Sequence, residues 1–310
     1  MKKAMEYLSK KLSQTGICLI FLFLTFAFIS RAAEKKITIG ISQIVEHPSL
    51  DEDRQGILDG LKSQGYDETK VNFIYKNAQG DFPTAQLISK ELNDKADIIV
   101  AIATPSAQAA VNAIKTKPIF FSVVAYPESA GILQPNVTGA SNKIPAAKHV
   151  ELIKTLLPNI KKIGIIYNAS ENNSVETVEE FSKNAKKAGY EIILRTITNV
   201  NDVSSALDSI LGEIDVLYST NDNMIASAYP IVVDKCKNKN IPIISAVKNF
   251  VDQGALATEY ISEYDVGFET GLMIAKYING EKIENMPYVS VSKSTRLINP
   301  DIAKKFGVKY

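Results

Sequence analysis

The sequence predicts an α/β protein built from two similar lobes, each a parallel sheet flanked by helices, with a ligand cleft between them. Three observations carry that expectation. Short β-rich apolar runs alternate with helical patterns, the order of these elements repeats once along the chain, and the composition suits a large core. Of 310 residues 45% are hydrophobic, and 35 basic against 34 acidic side chains leave a formal charge of +1. This excludes disorder, a collagen-like repeat and a multi-span membrane protein. It also lacks the surplus of Lys and Arg that a nucleic-acid binder concentrates on one surface, so no nucleic acid is expected as a partner.

The first segment reads as an address. Lys2, Lys3, Lys10 and Lys11 precede an uncharged run from Leu12 to Ser30, apolar from Ile17 to Ile29 except for Thr25. Ser30 and Ala32 supply small residues for a cut after Ala32, so residues 1–32 form a secretory signal peptide and the body is periplasmic or secreted. The alternative is an uncleaved membrane anchor, because the run approaches the roughly 20 residues that span a bilayer. Removing the segment's five basic and one acidic residues leaves a body of charge about −3. Cys18 leaves with it, and Cys236 alone cannot form an intramolecular disulfide.

Elements then follow in order. ITIGIS at 37–42 is a strand, followed by a helix near 50–64, VNFIY at 71–75, a helix near 83–93 and DIIVAIA at 97–103. A helix at 105–115 and PIFFSVV at 118–124 come next. The unbroken apolar character of DIIVAIA suits a strand covered on both faces. The second set echoes the first: KKITIGIS (35–42) and KKIGIIYN (161–168), Gly65-Tyr66 and Gly189-Tyr190, Asp97 and Asp215, Pro118 and Pro242. Each echo alone is ordinary punctuation, and four in one order indicate two lobes. The expected partition is 33–142 plus 262–310 for the first lobe and 143–261 for the second, with the tail to Tyr310 packed on the first.

Ligands of parallel sheets sit at the carboxyl ends of the strands, where helix starts and loops converge. Seven residues beyond Asp97 lies Thr104, and seven beyond Asp215 lies Asp222. Thr104-Pro105-Ser106 reads as a hydroxyl N-cap, a Pro at the first helical position and a following Ser, a start suited to an anion. Asp222 suits an ammonium. Either alone is commonly only a cap, and their symmetry is what points to a ligand. Further candidates are Gln43, Glu46 and His47 after the first strand, Asn168 and Ser174 after its echo, and Glu259 at the end of ALATEY, a second acid or merely a partner for a Lys. Tyr126, Tyr167, Tyr218 and Tyr260 lie near strand ends, able to stack on a flat ligand.

Catalytic chemistry is thin. No dinucleotide fingerprint, phosphate loop or nucleophile elbow occurs, and His47, His149 and Cys236 are too scattered for a metal site. His149 reads as a surface residue of an amphipathic helix. No enzyme activity, cofactor or metal is expected.

In combination, SQIVEHPSLDEDRQGILDGLKSQGY, NAQGDFPTAQLISKEL, DIIVAIATPSAQAA, NVTGASN, GIIYNASENNS, STNDNMIAS and GALATEY resemble the substrate-binding proteins of ABC importers, in the branch associated with tryptophan and other aromatic amino acids. The resemblance covers about 35–280. It implies the type I periplasmic-binding-protein fold and capture of an amino acid by hinge closure for an inner-membrane permease; separately, a monomer is expected. It further implies a carboxylate held at Thr104-Pro105-Ser106 and an ammonium at Asp222 and Glu259. Gln43, Glu46, His47, Asn168 and Ser174 would shape the pocket. A ligand-sensing module for a membrane receptor, or a binder of another small molecule, is the alternative.

Overall fold

A computed structural model describes residues 36–310, so the export segment expected at 1–32 lies outside the described residues. The first lobe opens with β1 (Ile37–Gln43), α1 (Pro48–Ser63), β2 (Val71–Asn77), α2 (Phe82–Lys95) and β3 (Ile98–Ile102). It continues through α3 (Thr104–Ala113), β4 (Ile119–Ser122) and β5 (Val137–Ser141). The chain then crosses into the second lobe: α4 (Ala146–Leu156), β6 (Lys162–Asn168), α5 (Asn172–Lys187), β7 (Glu191–Ile197), α6 (Asp202–Ile210) and β8 (Val216–Ser219). There follow α7 (Asn223–Ser227), α8 (Tyr229–Asn238), β9 (Ile243–Ser245), α9 (Lys248–Gln253) and β10 (Ala257–Tyr260). The closing elements are α10 (Glu263–Ile278), a single 3₁₀ turn, β11 (Val289–Ser290), β12 (Thr295–Ile298) and α11 (Pro300–Lys305).

The two sheets have matching orders, β2-β1-β3-β4-β5-β11 and β7-β6-β8-β9-β10-β12. All pairs are parallel except β10 with β12. The echo in the sequence has a physical counterpart at the feet of the strands. Asp97 accepts the Thr38 N–H at 2.8 Å, and Asp215 accepts those of Lys161 and Lys162 at 2.7 and 2.8 Å. Each acid thus ties the start of the third strand of its lobe to the first.

Burial follows the patterning. Every residue of β3 is buried, as a strand covered on both faces requires. In the second lobe Tyr229 stacks on Phe250 with centroids 3.6 Å apart, and Tyr218 on Phe181 at 3.8 Å.

The tail corrects the sequence expectation. The sequence places it on the first lobe, whereas β12 pairs antiparallel with β10, and Ile298, Ile302, Ala303 and Val308 pack in the second lobe's core. Only α10 and β11 belong to the first sheet's side. The chain therefore passes between the lobes three times, at 142–145, 261–262 and 291–294, and each sheet acquires its sixth strand from the end of the chain.

Backbone contact joins α1 to α10. A Cβ on Gly56 would lie 2.1 Å from the Tyr264 carbonyl oxygen, one on Gly60 2.4 Å from Phe268 O, one on Gly267 2.0 Å from Asp53 O, and one on Gly271 2.4 Å from Ile57 O. Two glycine pairs spaced four residues apart present one flat stripe per helix. That crossing brings the starts of both helices to the cleft, with His47 and Ser49 on one and Glu263 on the other.

Candidate functional site

At the carboxyl ends of both sheets the lobes meet around two adjacent chambers that share Asn142, Asn221 and Glu263 as walls. Outside them lies a wider cavity of about 820 Å³ lined from both lobes, including Pro105, Gln108, Asn168 and Asn223. Among the described residues, polar contacts that span the lobes include the following. His47 Nε2 is 3.4 Å from Asn223 Oδ1, Tyr126 donates to Glu180 at 3.1 Å, Asn172 Nδ2 donates to Ser129 O at 3.4 Å, and Lys248 lies 3.6 Å from Glu52.

Thr104 and Asp222 line the same chamber, one from each lobe. The start of α3 differs in detail from the sequence reading, because Ala103 is the N-cap and Thr104 the first helical residue. No side chain caps this helix, and the first N–H groups of a helix have no partner within it. Thr104 Oγ1 and Ser106 Oγ are buried with no hydrogen-bond partner in the protein. The backbone here is strained. Ala103 has φ 72° and Val123, on the same chamber wall, has φ 50°, left-handed conformations costing about 1–3 kcal/mol each in non-glycine residues. The positive helix end, free N–H groups and idle hydroxyls together suit an anion.

Asp222 is fully buried and already engaged. Its carboxylate accepts the Asn168 N–H at 2.6 Å, the Ser174 hydroxyl at 2.7 Å and, as N-cap of α7, the Ile225 N–H at 2.9 Å. Burial raises its pKa despite these bonds. Asn168 and Ser174 therefore act on Asp222, and Asn168 also lines the outer cavity. Beside it, Glu171 accepts from Asn223 and Asn173, and burial together with Asp222's charge pushes its pKa up to about 7.

Ser106, Asn168 and Ser174 line neither chamber, and three further candidates lie away from them as well. Gln43 is tied to Val45, Asp51 and Arg54, and Glu46 takes the Tyr75 hydroxyl. Glu259 faces the third crossing, where it accepts from Ser294 at 2.7 Å and pairs with Lys148 and Arg296. His47 and Tyr126 do line chambers, with His47 Nδ1 unpartnered. His149 is buried, not on the surface. Its Nε2 donates to Glu259 O, so its Nδ1 accepts from Tyr218, and burial lowers its pKa to about 4, keeping it neutral.

A further acid, not among the sequence candidates, is Glu263. It lines both chambers, is 6% exposed, and its Oε2 has no hydrogen-bond partner in the protein. Burial pushes its pKa up to about 8, with Glu52 adding to the rise. An idle carboxylate oxygen in a desolvated wall suits a cation. The available signal was its place, since Ser262-Glu263 follows directly on a crossing between lobes.

Among the described residues no helix is long and apolar enough to cross a membrane. The family model described as ABC transporter substrate binding protein matches residues 38–310. A protein of Clostridioides difficile (strain R20291) described as tyrosine-binding is 40% identical over 285 residues, spanning 89% of this chain and 83% of that one. A Streptococcus pneumonia ABC domain solved in complex with L-Trp is 35% identical with TM-score 0.86, over 89% of this chain and 96% of that one. The ligand-free, open structure of a Clostridium difficile substrate binding protein with adhesive properties is 39% identical, over 88% and 96% of the two chains, yet scores 0.67. The lower score at higher identity agrees with the inter-lobe contacts here, which hold the lobes closed on one another. Matched along its whole described body and sharing the two-lobed fold, this chain belongs to the ABC transporter substrate binding protein family.

Proposed function

We propose that this protein captures a free α-amino acid, an aromatic one foremost, between its lobes and delivers it to an inner-membrane ABC permease. The observation that carries the reading is one chamber between the lobes with two opposite unmet needs: an uncapped helix start with an idle hydroxyl at Thr104, and an idle buried carboxyl oxygen at Glu263. A zwitterion meets both. Its carboxylate accepts from the start of α3, and its ammonium donates to Glu263, with Asn142 Oδ1, also unpartnered, as a second acceptor. Asp222 holds the loop of the second lobe that closes on the ligand. The relatives said to bind tyrosine and L-Trp support the aromatic class.

Closure is the mechanism. A ligand shifts an open–closed equilibrium only by the extra contacts it makes in the closed form, so groups from both lobes must touch it. Here α3 and Glu263 come from the first lobe's side, while Asn221 and Asn173 come from the second. Residues 1–32 direct export and are removed, and the body acts as a monomer outside the inner membrane.

A thermal-shift panel of the twenty amino acids tests the reading. A ligand at 100 times its Kd stabilises the folded state by roughly 2.7 kcal/mol, so one or more aromatic amino acids should raise the melting temperature clearly. Silence toward every amino acid would overturn it.

A further inference from the structure

Behind the wall of the chamber that Thr104 lines, another acid is buried without a cation. Asp53 lies on α1 one turn beyond Ser49 and Leu50, which are part of that wall. It is fully buried, and among the described residues its carboxyl is joined only to the Ser122 hydroxyl, with Oδ1 2.6 Å from Ser122 Oγ. Its Oδ2 has no partner in the protein. Ser122 Oγ is in turn 3.0 Å from Thr270 Oγ1, which lies 3.0 Å from the Val266 carbonyl oxygen. The cations beside its sequence neighbours are engaged elsewhere, Arg54 with Gln43 and Asp51, and Lys248 of the second lobe with Glu52. Across the crossing of α1 and α10 stands Glu263, whose charge adds to the rise that burial imposes on the Asp53 pKa.

Counting protons along this row of oxygens decides its charge. If the hydrogen bonds run from Asp53 to Ser122, then to Thr270 and Val266 O, each hydroxyl donates once and the proton at the head belongs to the carboxyl. Run the other way, Thr270 Oγ1 and Val266 O face one another with no proton between them, and a buried carboxylate is left with a single donor. We infer that Asp53 is a protonated, neutral acid in the folded protein, and that its proton fastens together three elements that wall the chamber. These are α1 with Ser49 and Leu50, the end of β4 leading into Val123 at φ 50°, and α10 with Glu263. The close approach is built into the helix crossing, since a Cβ on Gly267 would lie 3.0 Å from Asp53 Oδ1. Asp53 lines neither chamber, so it is a positioning residue, and being neutral it sets no second negative charge beside Glu263.

Carbon-13 NMR of the exported chain, labelled at its aspartate carboxyls, reads the proton directly, the Asp53 resonance being the one that Asp53→Asn removes. At pH 7 it should stand at the shift of a protonated acid and stay there as the solution is taken down to pH 4. The carboxylate shift at pH 7 would overturn the proposal. Stability gives an independent reading. The Asn amide can donate to Ser122 as the protonated acid does, so Asp53→Asn should stay folded at pH 7, whereas Asp53→Ala, which offers no donor, should raise the unfolding constant about tenfold or more. A folded pKa raised above the ordinary 3.8 means that folding takes up a proton, so this contribution is complete below 3.8 and is lost as pH rises toward the folded value. From pH 5 to pH 8 the wild type should therefore lose stability relative to Asp53→Asn, by up to about tenfold in the unfolding constant per pH unit, while Glu263 titrates in both proteins and cancels. A flat or opposite trend, or an Asn variant that cannot fold at pH 7, would overturn the assignment.

Discussion

Thr104 and Glu263 line one buried chamber, each with an oxygen that finds no hydrogen bond in the protein. The hydroxyl stands at the positive start of α3, and the carboxylate at the head of α10 where the chain crosses between lobes.

Binding should be linked to protons. With its pKa near 8, Glu263 is mostly protonated at pH 6, and an ammonium favours the ionised form. Ligand binding below pH 8 therefore releases a proton, and affinity should rise with pH toward 8 by up to tenfold per unit. For stability the sign is opposite. A carboxyl whose folded pKa is raised takes up protons on folding, so its contribution is present below about 4.5 and is lost as pH rises through 8. Calorimetry in buffers of different ionisation enthalpy measures the proton count, and zero release at pH 6.5 would contradict the assignment.

Gly267→Ala should destabilise the fold by about 1–3 kcal/mol or more, because its Cβ would lie 2.0 Å from the Asp53 carbonyl oxygen and force α1 from α10. Gly212→Ala is the control. Nothing lies within 4 Å of a Cβ there, and the substitution should be neutral or slightly stabilising. Urea midpoints compare the two, and equal midpoints would refute the packing account.

How much of this was legible in the sequence varies by element. The repeat was readable because strand and helix periods differ, and because Asp97 and Asp215 do the same job at the same place. The third crossing was not, since β11 spans only Val289–Ser290 and β12 lies on a partly exposed edge. Both are too short and too little buried to print a period on the sequence. Glu259 and Glu263, four residues apart, traded roles for a related reason. Which way an acid points at a strand's end depends on partners such as Arg296 and Ser294, far along the chain.

Asp222→Ala should cost stability. The change strands the Asn168 N–H, the Ser174 hydroxyl and the Ile225 N–H in a buried loop, about 2–4 kcal/mol in sum. Chemical denaturation checks this, and an unchanged midpoint would mean that the loop does not depend on the carboxylate.

Tyr126→Phe removes the hydroxyl that reaches Glu180 across the lobes while keeping the ring. The fold should be unaffected and closure weakened, raising Kd by about three- to tenfold. Small-angle scattering with ligand present should show a larger open fraction, and an identical profile and Kd would remove this contact from the closing mechanism.

The central claim is that Glu263 holds the ammonium of a bound amino acid. Isothermal titration of L-tryptophan into wild-type protein and the near-isosteric Glu263→Gln variant at pH 8 tests it most directly. Removing one partner of a desolvated charge pair costs roughly 2–5 kcal/mol, so the variant, folded and at least as stable, should bind some thirtyfold or more weakly. Equal affinity in the two proteins would contradict the claim.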